Sequence, residues 1–180
     1  MITGSVGQTL GMDVEVTTDP EQMPAPAEVE SLLAAAAAQL GHSDAAALAQ
    51  ASARMYSWAR AIPGAATASV HDDGLIGFGY GYSWGWATMT DAWSLRLHDE
   101  LGESADTIGD SFSIVLLVVH PEHRRQHLGA RLLSALQAQA DEPVTWLQTA
   151  ADAPLRALCE AHGWRTLDDS ADPVLLVYRR

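Results

Sequence analysis

The chain has 180 residues and carries 10 cationic side chains, all arginine, against 23 carboxylates, for a formal net charge of −13. This length suits one domain with a real core, and 48% hydrophobic with 18% charged residues excludes a disordered chain. The acidic balance argues against nucleic acid and against an anionic membrane surface; it suits a cationic small molecule or basic peptide, or simply keeps the protein soluble.

In chain order, Met1 to Gly11 is polar and Gly-rich and is expected to be a flexible N-terminus, with residues 12–180 forming the single domain. Met12 to Thr17 alternates and reads as a short strand. Ala27 to Leu40 sets Val29, Leu32, Leu33, Ala36 and Leu40 on one helical stripe, closed by Gly41. A second helix, capped by Ser43, is predicted to about Ala61, with Leu48, Ala51, Met55, Trp58 and Ile62 inward and Pro63-Gly64 as its stop. Ala66 to Val70 and Leu75 to about Trp86 read as a hairpin around His71-Asp72-Asp73-Gly74. In its second strand, period 2 puts Ile76, Phe78, Tyr80, Tyr82, Trp84 and Trp86 on one face and Gly77, Gly79, Gly81, Ser83 and Gly85 on the other. The glycine face invites close approach by a helix or another backbone. Ile76 and Phe78 are assigned to the core, whereas Tyr80, Tyr82 and Trp84 are candidates to wall an acceptor pocket or a homodimer contact.

Asp91 to Leu101 is read as a helix followed by an acidic loop to Asp110. Phe112 to Val119 is almost wholly apolar, the pattern of a strand covered on both faces; its run from Ile114 is far too short to span a bilayer, which takes about 20 apolar residues. A cytoplasmic protein is the expectation. Leu128 to Ala140 is a helix with Leu128, Leu132, Ala135 and Leu136 inward, Val144 to Thr149 a strand, and Pro154 to His162 a helix capped by Asp152 and closed by Gly163. Trp164 to Leu167 and Val174 to Tyr178 complete an α/β (α+β) sandwich on a mixed sheet. The single Cys159 excludes an internal disulfide framework and a four-thiolate zinc site.

The segment Val119-His120-Pro121-Glu122-His123-Arg124-Arg125-Gln126-His127-Leu128-Gly129-Ala130-Arg131-Leu132-Leu133 carries the chemistry. A buried strand stops at a proline, a polar loop follows, and a helix begins at once. Such a turn aims free backbone N–H groups and the positive helix end at one point, which makes an anion site, and Arg124 and Arg125 reinforce it. His120, His123 and His127 cross a proline and a loop and lack a third ligand in clear spacing, so surface histidines are a plainer reading than a metal site.

With Val119-x-Pro121 upstream, Arg124, His127 and Gly129 in the loop, and Leu132-Leu133 downstream, the segment resembles the pyrophosphate loop of the GNAT superfamily of N-acetyltransferases. Thr149-x-x-Asp152-x-Pro154 through Leu158-Cys159-Glu160-x-x-Gly163-Trp164 looks like the late strand–helix unit of the same family. The resemblance implies a mixed, mostly antiparallel central sheet flanked by helices, and acetyl-CoA or another acyl-CoA as co-substrate. It places the pyrophosphate on the amides of Gln126, His127, Leu128, Gly129 and Ala130, with Arg124 and Arg125 at the rim. It also places the pantetheine arm along the main chain of Leu117 and Val119, with an N–H near Val118 or Val119 polarising the thioester carbonyl. The implied reaction is direct attack by a neutral amine of a small molecule or peptide, with no covalent enzyme intermediate.

Three positions depart from the family pattern. His127 stands where the first loop glycine is usual, and Cys159 stands where a tyrosine often reprotonates the leaving thiolate. The thiol is either that general acid or a small buried hydrophobe. No carboxylate or histidine lies on the central strand, so the base is a water chain, a residue from elsewhere such as His98 or Asp110, or absent. The alternative to an enzyme is a GNAT-fold module that binds CoA without turnover and serves as a sensor or interaction domain.

Overall fold

A computed structural model describes residues 12–39, 41, 43–151, 153–168 and 173–180. The expectations for residues 1–11, for Leu40 and for the Asp152 cap lie outside the described residues. The elements run β1 (Glu15–Thr17), α1 (Pro26–Gln39), α2 (Ala45–Ala59), β2 (Ala66–His71), β3 (Leu75–Gly85), α3 (Ala92–Leu101), β4 (Asp110–Val119), α4 (Leu128–Gln139), β5 (Val144–Thr149), α5 (Pro154–Ala161), β6 (Arg165–Asp168) and β7 (Val174–Arg179). The seven strands form one sheet in the order β1-β2-β3-β4-β5-β7-β6, and only the β4–β5 pair is parallel. The mixed, mostly antiparallel sheet flanked by helices is the expected architecture. A 3₁₀ helix at Gly102–Ile108 replaces the acidic loop, burying Ala105 and Ile108.

The glycine face of β3 does what its pattern suggested. A Cβ built on Gly77 would lie 3.2 Å from Leu132 Cδ1, and one on Gly79 would lie 2.9 Å from Leu136 Cδ1, so α4 seats its leucines directly on the strand. Leu128, Leu132, Leu133 and Leu136 are all buried there, each stabilising the fold by about 2 kcal/mol. On the opposite face, Phe78 and Tyr80 pack with Tyr56 of α2 at ring-centroid distances of 4.9 and 5.2 Å. The Tyr56 hydroxyl donates to the Pro24 carbonyl at 2.8 Å, which ties α2 to the start of α1. Gly41 adopts φ +73°, the left-handed conformation expected of a residue closing a helix.

The buried face of α2 differs from the prediction. Ala49, Ala53, Tyr56 and Ala59 face inward, while Leu48, Met55 and Trp58 are 50, 58 and 66% exposed. Ala51 is exposed as well, Ile62 is half-buried, and Asp44 rather than Ser43 precedes the helix. The sequence reading took the largest apolar side chains as core; the small ones won, because an alanine stripe lets α2 approach α1 closely around a single tyrosine.

The central strand also departs from expectation, and this departure positions the site. Residues 111–114 of β4 are buried, but residues 115–119 are only half-buried. Along β3 the pairing runs from Gly85↔Asp110 to Gly77↔Val119 with one slip: Tyr80 faces Leu116 and Gly81 faces Ile114, leaving Val115 as a bulged extra residue. Against β5 the only pairs are Phe112↔Thr145 and Ser113↔Trp146. Beyond Ser113 the two strands part, and a cleft opens in the middle of the sheet.

Candidate active site

The cleft has a main-chain lining that follows from strand alternation. The His120 N–H donates to the Ile76 carbonyl at 2.7 Å. In an antiparallel ladder this fixes the backbone groups of Val118 and Leu116 toward β3 as well, and turns those of Leu117 and Val119 toward the open side. The Val119 carbonyl accepts from Arg124 Nε at 3.3 Å, as that orientation requires. The expectation of a free N–H at Val118 is therefore corrected, because that amide belongs to the β3 ladder; Leu117 and Val119 keep theirs free on the cleft side.

Past the strand, a 3₁₀ turn at Pro121–His123 leads into α4. His127 occupies the N-cap of α4 with φ +60°, and no side chain caps the helix. The first intrahelical bond is that of the Arg131 N–H to the His127 carbonyl, so the amides of Leu128, Gly129 and Ala130 have no intrahelical partner. They border a groove of about 740 Å³ lined also by Leu117, Val119, Arg124, Arg125, His127, Leu155 and Leu158. Of the residues predicted to contact the cofactor, only Val118 and Gln126 do not line it. Gln126 is exposed in the loop ahead of the helix. Arg124 is held in place at the rim, its Nη1 donating to Gln39 Oε1 at 2.7 Å.

The left-handed backbone explains why a glycine is favoured where His127 stands. An L-residue there costs roughly 1 kcal/mol or more, and the ring is accordingly left exposed in solvent. His127→Gly is expected to raise stability by about 1 kcal/mol, read as a higher urea midpoint at unchanged slope.

A second cavity, of about 610 Å³, lies on the aromatic side of the sheet. Ser113, Ile114 and Val115 of β4 and Trp146 and Gln148 of β5 form its inner wall, and the groove takes Leu117 and Val119 of the same strand, so the two cavities border successive stretches of β4 from the point where the strands part. Tyr82 and Trp84 line the aromatic cavity. Tyr80 does not: it is 3% exposed in the Tyr56–Phe78 cluster, because the face of β3 that it shares with Tyr82 is covered by α2 at that level. Sequence reasoning missed Met55 and Trp58, which it had assigned to the buried face of α2, and Trp93 and Trp146, which come from two further elements and share no spacing pattern with them.

Charge in this cavity is sparse. Asp91 caps α3, accepting from the Ser94 hydroxyl at 2.6 Å and from the Trp93 and Ser94 amides at 3.0 and 3.1 Å. The Ser94 hydroxyl and amide hold its carboxyl below the usual carboxylate range. Burial, with Asp91 nearby, pushes the Tyr82 phenol up. The two base candidates from the sequence do not line either cavity: His98 packs its ring against Trp86 at 4.9 Å, and Asp110 is exposed at the start of β4.

Cys159 is fully buried in the α4 core cluster and lines neither cavity. Of the two readings of this thiol, the burial favours the small core hydrophobe over the general acid. Burial, reinforced by Glu160, pushes its pKa up to about 12. Native protein at pH 8 should resist thiol-specific reagents for hours and react only after denaturation, and Cys159→Ala should keep the wild-type kcat. Rapid labelling of the folded chain would restore the catalytic candidate.

A family model for the acetyltransferase (GNAT) family matches residues 41–164. The chain belongs to the GNAT acetyltransferase family. GNAT enzymes use acetyl-CoA as acyl donor. The solved structures similar to this GNAT chain share the fold at low identity. The PaiA N-acetyltransferase of Thermoplasma acidophilum in complex with coenzyme A is 10% identical over 94% of this chain and 100% of its own, with a TM-score of 0.63. An acetyltransferase of Thermus thermophilus is 16% identical over 93% of this chain and 96% of its own, with a TM-score of 0.58. An aminoglycoside 6′-acetyltransferase type Ii is 12% identical over 93% of this chain and 97% of its own, with a TM-score of 0.55. No curated protein matches this GNAT chain in sequence. Among the described residues, no helix is long and apolar enough to cross a membrane.

Proposed function

We propose that this GNAT protein is an N-acetyltransferase that moves an acetyl group from acetyl-CoA to a primary amine of a small molecule or peptide by direct attack. The observation that carries the proposal is a pair of cavities on successive stretches of β4 beside its parting from β5, one bordered by an uncapped helix start and the other walled by aromatic rings. The residues fit the donor. The unpartnered amides of Leu128, Gly129 and Ala130, with the positive end of α4, suit a pyrophosphate, and Arg124 and Arg125 add charge at the rim. The cleft-facing groups of Leu117 and Val119 suit an extended amide-bearing arm laid beside the strand.

Acetyl-CoA supplies an activated thioester. The chain's part is to hold that thioester at the strand bulge, to direct a main-chain N–H such as that of Leu117 or Val119 at its carbonyl, and to exclude bulk water. An ammonium acceptor must lose a proton before it attacks. No buried carboxylate or histidine of the described residues faces the aromatic cavity, and Asp91 of its lining stands exposed at the rim, so in this reading water carries that proton.

The same absence favours a second reading, a CoA-binding module without turnover. Calorimetry with CoA, followed by thiol release from acetyl-CoA across a panel of amines, separates the two. Binding with turnover supports the enzyme, binding with no turnover on any amine supports the module, and no binding overturns both.

A further inference from the structure

The aromatic cavity has a composition that narrows what it can accept. Four indoles (Trp58, Trp84, Trp93 and Trp146) and the Tyr82 phenol line it, and among the described residues that line it the only charged side chain is Asp91. Trp84 is the hub, with Trp146 and Trp93 edge-on to it at centroid distances of 5.0 and 5.8 Å. We propose that the acceptor is a monoamine carried on an aromatic or similarly flat apolar body. The inference rests on the acetyltransferase reading and specifies its acceptor.

Three properties converge on that class. The first is charge: one rim carboxylate matches one ammonium group, whereas a polyamine or a polyaminated sugar brings further cations that meet no second carboxylate among the described residues lining this cavity. The second is apolar exposure at the mouth. Trp58 and Trp93 are 66% and 43% exposed, and Met55 beside them is 58% exposed. Rings held open to water around a concave site are covered when a flat apolar body stacks among them, and a cationic group near their faces gains a cation–π attraction.

The third property is the gradient of polarity along the cavity. Asp91 stands exposed at the rim, where its field draws an ammonium group in. The inner wall beside the cleft consists of Ser113, Ile114, Val115, Trp146 and Gln148, with no charge. An amine delivered there leaves water and its counter-charge behind, and desolvation favours its neutral, nucleophilic form. The apolar inner end thereby does part of what a side-chain base does elsewhere.

The test uses two readouts on the full chain. Intrinsic tryptophan fluorescence is titrated with 2-phenylethylamine, spermidine, kanamycin and an unblocked hexapeptide, without acyl donor. CoA release from acetyl-CoA is then measured with the same four amines. Expected are a saturable fluorescence change with 2-phenylethylamine and a kcat/KM at least 100-fold above that for the other three. Trp93→Ala and Trp58→Ala, both at solvent-exposed positions, should each raise the KM for 2-phenylethylamine about tenfold and leave calorimetric CoA affinity unchanged. No fluorescence response to 2-phenylethylamine, or turnover of spermidine, kanamycin or the peptide equal to or above it, overturns the inference. Failure of CoA to bind overturns the acetyltransferase reading instead, and the fluorescence arm still decides the ligand class.

Discussion

Replacing Gly129 by tryptophan is expected to lower acetyl-CoA affinity at least 100-fold, equivalent to about 2.7 kcal/mol. The position is the second residue of α4, where the amide has no intrahelical partner and the α-carbon borders the groove. A Cβ built there lies 3.4 Å from Leu158 Cδ2 and 4.0 Å from Val119 Cγ2, so the side chain enters the groove between α4, α5 and the end of β4. Alanine fits that space at ordinary contact distance and should bind acetyl-CoA within a few-fold of wild type, with the helix stabilised by up to about 1 kcal/mol. Wild-type protein at 100 times its Kd gains about 2.7 kcal/mol from the ligand, seen as a raised Tm; at the same ligand concentration the tryptophan variant should gain at most about 0.4 kcal/mol. Unchanged affinity in Gly129→Trp would remove the groove from the binding site.

The second large effect concerns folding. Gly81→Ala is expected to cost about 3 kcal/mol, through a clash that the surroundings cannot relieve by rotating a side chain. A Cβ on Gly81 would sit 2.4 Å from the Ser113 carbonyl oxygen and 2.5 Å from Phe112 Cε1. Both belong to β4 at the two residues that also hold β5, so the backbone must shift at the one place joining the halves of the sheet. Gly85→Ala serves as the control: its nearest neighbour would be 3.6 Å away, and its cost should stay below about 1 kcal/mol. Urea unfolding followed by far-UV circular dichroism measures both. Equal midpoints for the two variants would contradict the close approach at Gly81.

The sheet and the loop that leads into α4 were legible because their signals are local. Period-2 alternation located β3 and its glycine face, and a strand, a proline and a loop of basic residues located the start of α4. Legibility failed where packing between distant elements decides. Leu48, Met55 and Trp58 form as good an apolar stripe as Ala49, Ala53, Tyr56 and Ala59, and only the presence of α1 selects the second. Trp93 and Trp146 meet Trp84 across elements far apart in sequence, so the aromatic wall was visible only from the β3 side. Cys159 was ambiguous for a related reason: its helix position is fixed by sequence, but the direction of its thiol is set by the leucines of α4.

The parting of β4 and β5 gives this sheet an edge in its interior, besides those at β1 and β6. Interior strands ordinarily shield their amides from solvent exchange on both sides. Here protection in β4 should alternate from residue to residue: the Val118 and His120 amides are held by β3, and the Leu117 and Val119 amides exchange as though they belonged to an outermost strand. A free edge is also where an extended chain adds most readily. In the binding mode proposed above, an amide-bearing donor would close that edge and complete the sheet as an eighth strand would.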